Sequence, residues 1–179
     1  PTEHPRAVVF SDSVESAREL ADRMTAGGVR AACVDGAIST DEREAKIEAF
    51  KRGEIRVLTN VFCVTEGYDD PELSNIILAR GCGSASMFLQ IVGRALRSAP
   101  GKTHATLVDL RGAVHRHGLP EEERVYSLDG RSLIQRVSGA SLSSCRKCGA
   151  IFPSAPTCPR CGAKVSNGRT GTRVLAGSE

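Results

Sequence analysis

The chain has 179 residues, 40% of them apolar, and a formal net charge of +3. That length holds one medium domain and a small appendage, and no apolar run reaches the roughly 20 residues of a helical membrane span, so no membrane partner is expected. The charge is uneven: residues 1–130 carry a net −4 and residues 131–179 a net +7, which makes a polyanion one explanation for the basic end.

Pro1-Thr2-Glu3-His4-Pro5 has neither an initiator Met nor a secretory character and reads as the interior of a longer chain. Arg6–Ser11 reads as a buried strand. Ser13 or Asp12 caps a helix whose apolar positions Val14, Ala17, Leu20, Ala21 and Met24 have helical spacing. Gly27-Gly28 ends it. Residues 30–34 form a second strand, followed by an Asp35-Gly36 turn. Thr40 caps a helix through about Lys51, with Ala45, Ile47, Ala49 and Phe50 facing partly inward, and Gly53 closes it. Residues 55–59 and 75–79 are the third and fourth strands. Ser84 or Ser86 opens a helix that Pro100-Gly101 ends, and residues 103–110 are the fifth strand. Strands alternating with helices predict a doubly wound α/β domain with a parallel sheet. Ligands of such sheets sit at the carboxyl ends of the strands, where the loops after Thr59 and Ala79 emerge.

The helix after the fourth strand carries the most specific pattern. Phe88, Ile91, Val92 and Ala95 form one apolar stripe. Gln90, Arg94 and Arg97 fall on another face, so an amide and two guanidiniums point one way. Gly93 beside them costs a helix about 1 kcal/mol relative to Ala, which a close backbone approach would explain. Two aligned arginine forks suit a polyphosphate, and an arginine finger stabilises charge on a transferred phosphoryl group.

Gln90-x-x-Gly93-Arg94-x-x-Arg97 resembles motif VI of superfamily-2 helicases, from their second RecA-like domain. Val9-Phe10-Ser11 looks like motif IV. Asp35-Gly36, Glu42-Arg43, Phe50 and Gly53-Glu54-Ile55 resemble the motif IVa segment. Leu58-Thr59-Asn60 through Glu66-Gly67-Tyr68-Asp69 looks like motif V. Beyond these, Ala99–Thr103, Leu107-Val108-Asp109, Val114-His115-Arg116-His117-Gly118 and Tyr126–Gly130 resemble bacterial RadD-type repair proteins and their phage relatives.

The resemblance implies a domain at 1–130 that works on ATP and Mg2+ held by an absent first RecA-like domain. Arg94, Arg97 and Gln90 are its expected catalytic residues, with Gly67, Asp69 and Gly93 at the nucleotide. Asp69 accepts from a ribose hydroxyl or from Arg94. Ser11 and Thr59 are expected at the nucleic-acid backbone. DNA, single-stranded or branched, is the expected partner, in a cytoplasmic, nucleoid-associated setting, with repair or single-strand-binding proteins as further partners. An adaptor that kept the fold without using ATP is the rival reading. Gly101-Lys102-Thr103 imitates the end of a phosphate loop, but Leu96 stands where that motif needs Gly.

Seven cysteines without a secretory signal fit a reducing compartment. Cys33, Cys63 and Cys82 are scattered among apolar neighbours. Cys145-x-x-Cys148 and Cys158-x-x-Cys161, each followed by Gly, have the spacing of a structural zinc ribbon over 144–165. So little apolar surface, with Ile151 and Phe152 its large hydrophobes, makes the metal the source of its folding energy. Residues 131–143 read as a Ser-rich linker or short helix, and 166–179 as a flexible tail. Lys147 and Arg160 on the knuckles are expected to contact DNA phosphates.

Overall fold

The computed structural model describes residues 6–61, 69–125 and 141–165, and the backbone of residues 135 and 136. Strands β1 (Ala7–Phe10), β2 (Ala31–Val34), β3 (Val57–Asn60), β4 (Asn75–Leu78) and β5 (Thr106–Asp109) form one parallel sheet. Its order is β2-β3-β1-β4-β5. Helix α1 (Val14–Ala26) joins β1 to β2, α2 (Thr40–Lys51) joins β2 to β3, and α3 (Ala85–Gly93) follows β4. A short α4 (Ala113–His117) follows β5.

Side chains alternate across each strand, so the sheet has two distinct faces. Val8, Phe10, Val34, Leu58, Ile76 and Leu78 point to one face, where Phe50 of α2 and Phe88, Ile91 and Val92 of α3 complete the core. Val9, Cys33, Thr59 and Ile77 lie in register on the other face. There α1 packs across β2 and β3. The split follows from right-handed crossovers: β1 to β2 runs one way along the sheet, and β2 to β3 and β4 to β5 run the other. Each fully buried Phe contributes about 1.5–3 kcal/mol by leaving water.

Serines start the three long helices. The Ser16, Glu42 and Met87 N–H groups donate to the hydroxyls of Ser13, Ser39 and Ser84 at 3.1, 3.2 and 3.2 Å. The cap of α2 is therefore Ser39, one residue before the expected Thr40. Helix α3 also ends early. It stops at Gly93, and the Arg94 and Ala95 N–H groups close onto Ile91 and Val92 with three-residue spacing. Ala95 remains buried, so the apolar stripe holds. The shared helical face drawn through Gln90, Arg94 and Arg97 does not, because the chain leaves the helix between them.

Two small antiparallel pairs follow. Strand β6 (Arg124–Val125) pairs with β7 (Gln135–Arg136), and β8 (Leu142–Ser144) pairs with β9 (Ile151–Pro153). The expected linker 131–143 therefore contributes to both. Cys145, Phe152 and Cys158 are buried in a small core of their own. Leu142 and Ile151, however, pack against the main core, so the cysteine module is docked on the α/β domain.

Candidate nucleotide edge and metal centre

All five strands run the same way, so their entrances share one edge of the sheet. Arg6 precedes β1, the segment 69–74 precedes β4, and residues 97–105 precede β5. On this amino edge the Arg97 guanidinium is ion-paired with the Asp69 carboxylate. Both remain open to solvent, with side chains 44% and 75% exposed. The pairing falls on Arg97, where sequence reasoning gave Arg94 or a ribose as Asp69's partner. Arg94 is half-buried at the end of α3 and Gln90 is exposed on it. A Cβ added to Gly93 would meet nothing within 4 Å. No neighbour among the described residues therefore demands glycine there, which leaves its backbone approachable from outside. Gly67 lies outside the described residues.

Two anchors hold this edge, the buried Arg6 and the half-buried Lys102. Arg6 donates to both Asp70 oxygens, at 2.7 and 3.2 Å, and to the Phe50 carbonyl at 3.3 Å. Its guanidinium also lies 5.0 Å from the centre of the Phe50 ring. Lys102 donates to the carbonyls of Pro71, Leu73 and Arg97 at 2.8, 2.6 and 2.7 Å. Burial lowers the Lys102 pKa, against the pull of the nearby Asp70 carboxylate. Sequence reading missed both anchors. Arg6 and Asp70 stand 64 residues apart, and nothing local links them. Lys102 was noticed only as an imitation of a phosphate loop.

The opposite, carboxyl edge carries Ser11 and Asn60, which follow β1 and end β3. The Ser11 N–H donates to the Asn60 carbonyl at 2.8 Å. The Ser11 hydroxyl and the Asn60 Oδ1 are buried and have no hydrogen-bond partner among the described residues. Ser11 lines a cavity of about 270 Å³ with Asp12, Ser16, Glu19 and Arg23. Thr59 is placed differently. It is fully buried, and its hydroxyl donates to the Ala17 carbonyl at 2.6 Å, fastening α1 to the sheet. That burial corrects the expected contact of Thr59 with nucleic acid.

The four cysteines converge. Cys145 Sγ lies 3.6 Å from Cys161 Sγ and Cys148 Sγ lies 3.7 Å from Cys158 Sγ, and all four are within 4.8 Å of one another. Tetrahedral thiolates 2.3 Å from a zinc would be about 3.8 Å apart, so the cluster fits that ion. The two knuckles repeat one pattern. Gly149 and Gly162 N–H groups donate to the Cys145 and Cys158 carbonyls, and the Cys145 and Cys158 N–H groups donate to Ala150 and Ala163. Both glycines have positive φ, 72° and 69°, which a side chain would resist. Backbone N–H groups of Cys148 and Lys147, with neighbouring thiols, hold Cys145 down to about 6. Cys148 is pushed up to about 11: the Ala150 N–H lowers it, and burial with three adjacent thiols outweighs that. Lys147 and Arg160 are exposed on this module. Between module and domain lies a cavity of about 440 Å³, lined by Val92, Leu96, Leu107, Val114, Ile151 and Arg160 among others.

Comparison with known proteins agrees with this architecture. The chain is 31% identical over 161 residues to a 51.5 kDa protein of Lactococcus phage 7-9, covering 88% of this chain and 35% of the relative. It is 31% identical over 102 residues to UvrABC system protein B of Treponema denticola, covering 54% of this chain and 15% of that one. The chain thus spans about a third or less of these relatives' length. The crystal structure of the E. coli DEAD-box protein SrmB, bound to regulator of ribonuclease activity A, superposes with a TM-score of 0.56 at 22% identity, covering 66% of this chain and 71% of SrmB. That likeness makes the fold RecA-like. The profile of the helicase conserved C-terminal domain matches residues 2–99, more than half of the chain, and the chain belongs to that family.

Proposed function

We propose that the chain is the second RecA-like lobe of an ATP-dependent, superfamily-2 helicase or translocase acting on DNA, of the RadD-type repair lineage. The observation that carries this reading is the Arg97–Asp69 pair. It is anchored from below by Lys102 and Arg6 and open to solvent above. An isolated domain has little use for an exposed arginine whose main chain is so firmly held. A facing lobe that presents ATP and Mg2+ does. The phosphate-gripping lysine and the metal-binding acids belong to that first lobe. Arg97 then moves from Asp69 toward the phosphoryl group as negative charge develops on it. Arg94, Gln90 and the open backbone of Gly93 complete the polar surface beside it. Gly67 and Asp69 belong to the nucleotide side.

DNA lies along the carboxyl edge in this reading. The Ser11 hydroxyl and Asn60 Oδ1 are buried polar atoms at that edge without partners among the described residues, and a phosphate or its bridging water gives Ser11 one. The cysteine module holds a structural zinc through Cys145, Cys148, Cys158 and Cys161. With four protein ligands the ion has no open position, so it supplies folding energy rather than chemistry. Lys147 and Arg160 extend the basic surface.

The test is turnover. The full-length protein should hydrolyse ATP faster with DNA present, and the isolated chain should not hydrolyse it. Arg97→Ala in the full-length protein should lower turnover by roughly 10³-fold. Near-wild-type turnover in that variant would leave the non-catalytic adaptor as the better reading.

A further inference from the structure

Lys102 has a compact ammonium with three donors, and three main-chain carbonyls use all of them. Two of these carbonyls, of Pro71 and Leu73, belong to the segment that starts at Asp69. The third is that of Arg97 itself. Both members of the exposed pair are therefore tied, within a few residues of main chain, to one cation. The pair cannot hold itself: an exposed arginine–carboxylate contact in water contributes little and competes with the freedom of a long side chain. The main chain beneath it has to be fixed by something else. α3 has already ended at Gly93, so helical hydrogen bonding does not reach Arg97. Leu73 is buried in the core and Asp70 is gripped by Arg6, which makes 70–73 a firm floor. Lys102 fastens the arginine turn to that floor.

We propose that Lys102 is a positioning residue for ATP hydrolysis, a latch whose ammonium draws the Pro71, Leu73 and Arg97 carbonyls together and so sets where Arg97 meets the nucleotide. The proposal rests on the reading of Arg97 as the finger. Without the ammonium, three carbonyl dipoles converge on nothing. They turn to water, the 94–100 turn separates from 71–73, and Arg97 shifts relative to the facing lobe. Arginine is a poor substitute, because a planar fork does not converge on three acceptors as an ammonium does.

The test uses the full-length protein and a double-mutant cycle between Lys102→Met and Arg97→Ala, with each variant's melting curve recorded. Lys102→Met should lower kcat about 10–100-fold, the range expected when a catalytic group is misplaced by about 1 Å, with KM for ATP changed far less. In the Arg97→Ala background the same substitution should cause no further loss, since the latch acts only through that arginine. A folded Lys102→Met variant with unchanged kcat overturns the proposal. So does an equal, additive loss in both backgrounds, which marks a merely structural role. If Lys102→Met does not melt cooperatively, Lys102→Gln, which keeps two donors, replaces it in the same cycle under the same criteria. Near-wild-type turnover in Arg97→Ala alone removes the finger reading and the latch with it, whereas additivity removes the latch and leaves the finger.

Discussion

Asp70→Ala should be among the most destabilising single changes at the amino edge. The Arg6 and Asp70 side chains are only 6% and 4% exposed. Asp70 accepts both guanidinium nitrogens, at 2.7 and 3.2 Å. Removing one partner of such a pair leaves a buried charge and costs about 3–5 kcal/mol. Two features soften the loss here. Arg6 keeps its bond to the Phe50 carbonyl, and Glu72, largely exposed, lies 3.3 Å from its other nitrogen. The lower end, about 3 kcal/mol, is therefore expected. In a chain of this size that corresponds to a fall in melting temperature of roughly 6–12 °C. Thermal and urea unfolding of the isolated chain measure it. The double variant Arg6→Met/Asp70→Leu tests the reason. It removes both charges and restores apolar volume, so it should recover most of the loss. A drop below about 2 °C for Asp70→Ala, or a double variant worse than either single change, would refute the argument that this contact is a coupled, desolvated pair.

Removal of the metal should be felt beyond the cysteine module. The purified protein should contain one zinc, and chelation should unfold residues 141–165. It should also lower the melting temperature of the α/β domain by a few degrees, because Leu142 and Ile151 leave the main core. Zinc affinity should fall as pH falls, since the thiols must lose their protons to bind; elemental analysis across pH checks this. Asp35 is held below its ordinary pKa first by the Ala37 N–H, at 2.8 Å, and then by Arg18. Its contribution is therefore present above the unfolded value of about 3.9 and lost as pH falls through the lower folded value. Wild type should lose stability below pH 4 more steeply than Asp35→Asn. Replacing Lys147 and Arg160 together should weaken DNA binding alike for all sequences and reduce the log–log salt slope by about 0.7–0.9 per lost phosphate contact.

The local parts of this fold were legible because local physics makes them. Helical apolar spacing marks α1 and α3, with Ser13 or Asp12 and Ser84 or Ser86 as the caps on offer, and Cys-x-x-Cys-Gly spacing marks both knuckles. Thr40 was mistaken for the α2 cap because Ser39 beside it offers the same hydroxyl, and only the backbone decides between them. The overextended α3 has a plainer cause. The apolar stripe continues to Ala95, and periodicity alone does not register that the backbone tightens to three-residue spacing after Gly93. Thr59 is expected at nucleic acid because Leu58-Thr59-Asn60 resembles the start of motif V. Its parity in β3 points it at α1, but which helix covers that face depends on the strand order, and strand order is a tertiary property. Arg6–Asp70 and Lys102 were invisible for the same reason. Asp70 is 64 residues from Arg6, and the three partners of Lys102 are carbonyls, two of them about 30 residues away and one five away, which any residue type supplies.

The two edges of the sheet suggest how ATP and DNA would be coupled. Asp69, Arg97 and Lys102 occupy the amino edge, and Ser11 and Asn60 the carboxyl edge. Strands β1 and β3 between them are four residues long, roughly 13 Å, and their side chains on the α2–α3 face are fully buried. A core packed to that degree does not deform gradually under a small load. A signal from nucleotide to DNA would therefore travel by rotation of the whole lobe, or along a covalent path that touches both edges. In the proposed reading the chain also runs from Asn60, beside a candidate DNA contact, to Asp69 of the nucleotide pair. Its far end is fixed twice, by Arg6 at Asp70 and by Lys102 at Pro71 and Leu73. With that end fixed, exchange of the Arg97 partner from Asp69 to a phosphate would load the lobe through Asp70, Pro71 and Leu73, so rotation of the whole lobe is the expected response.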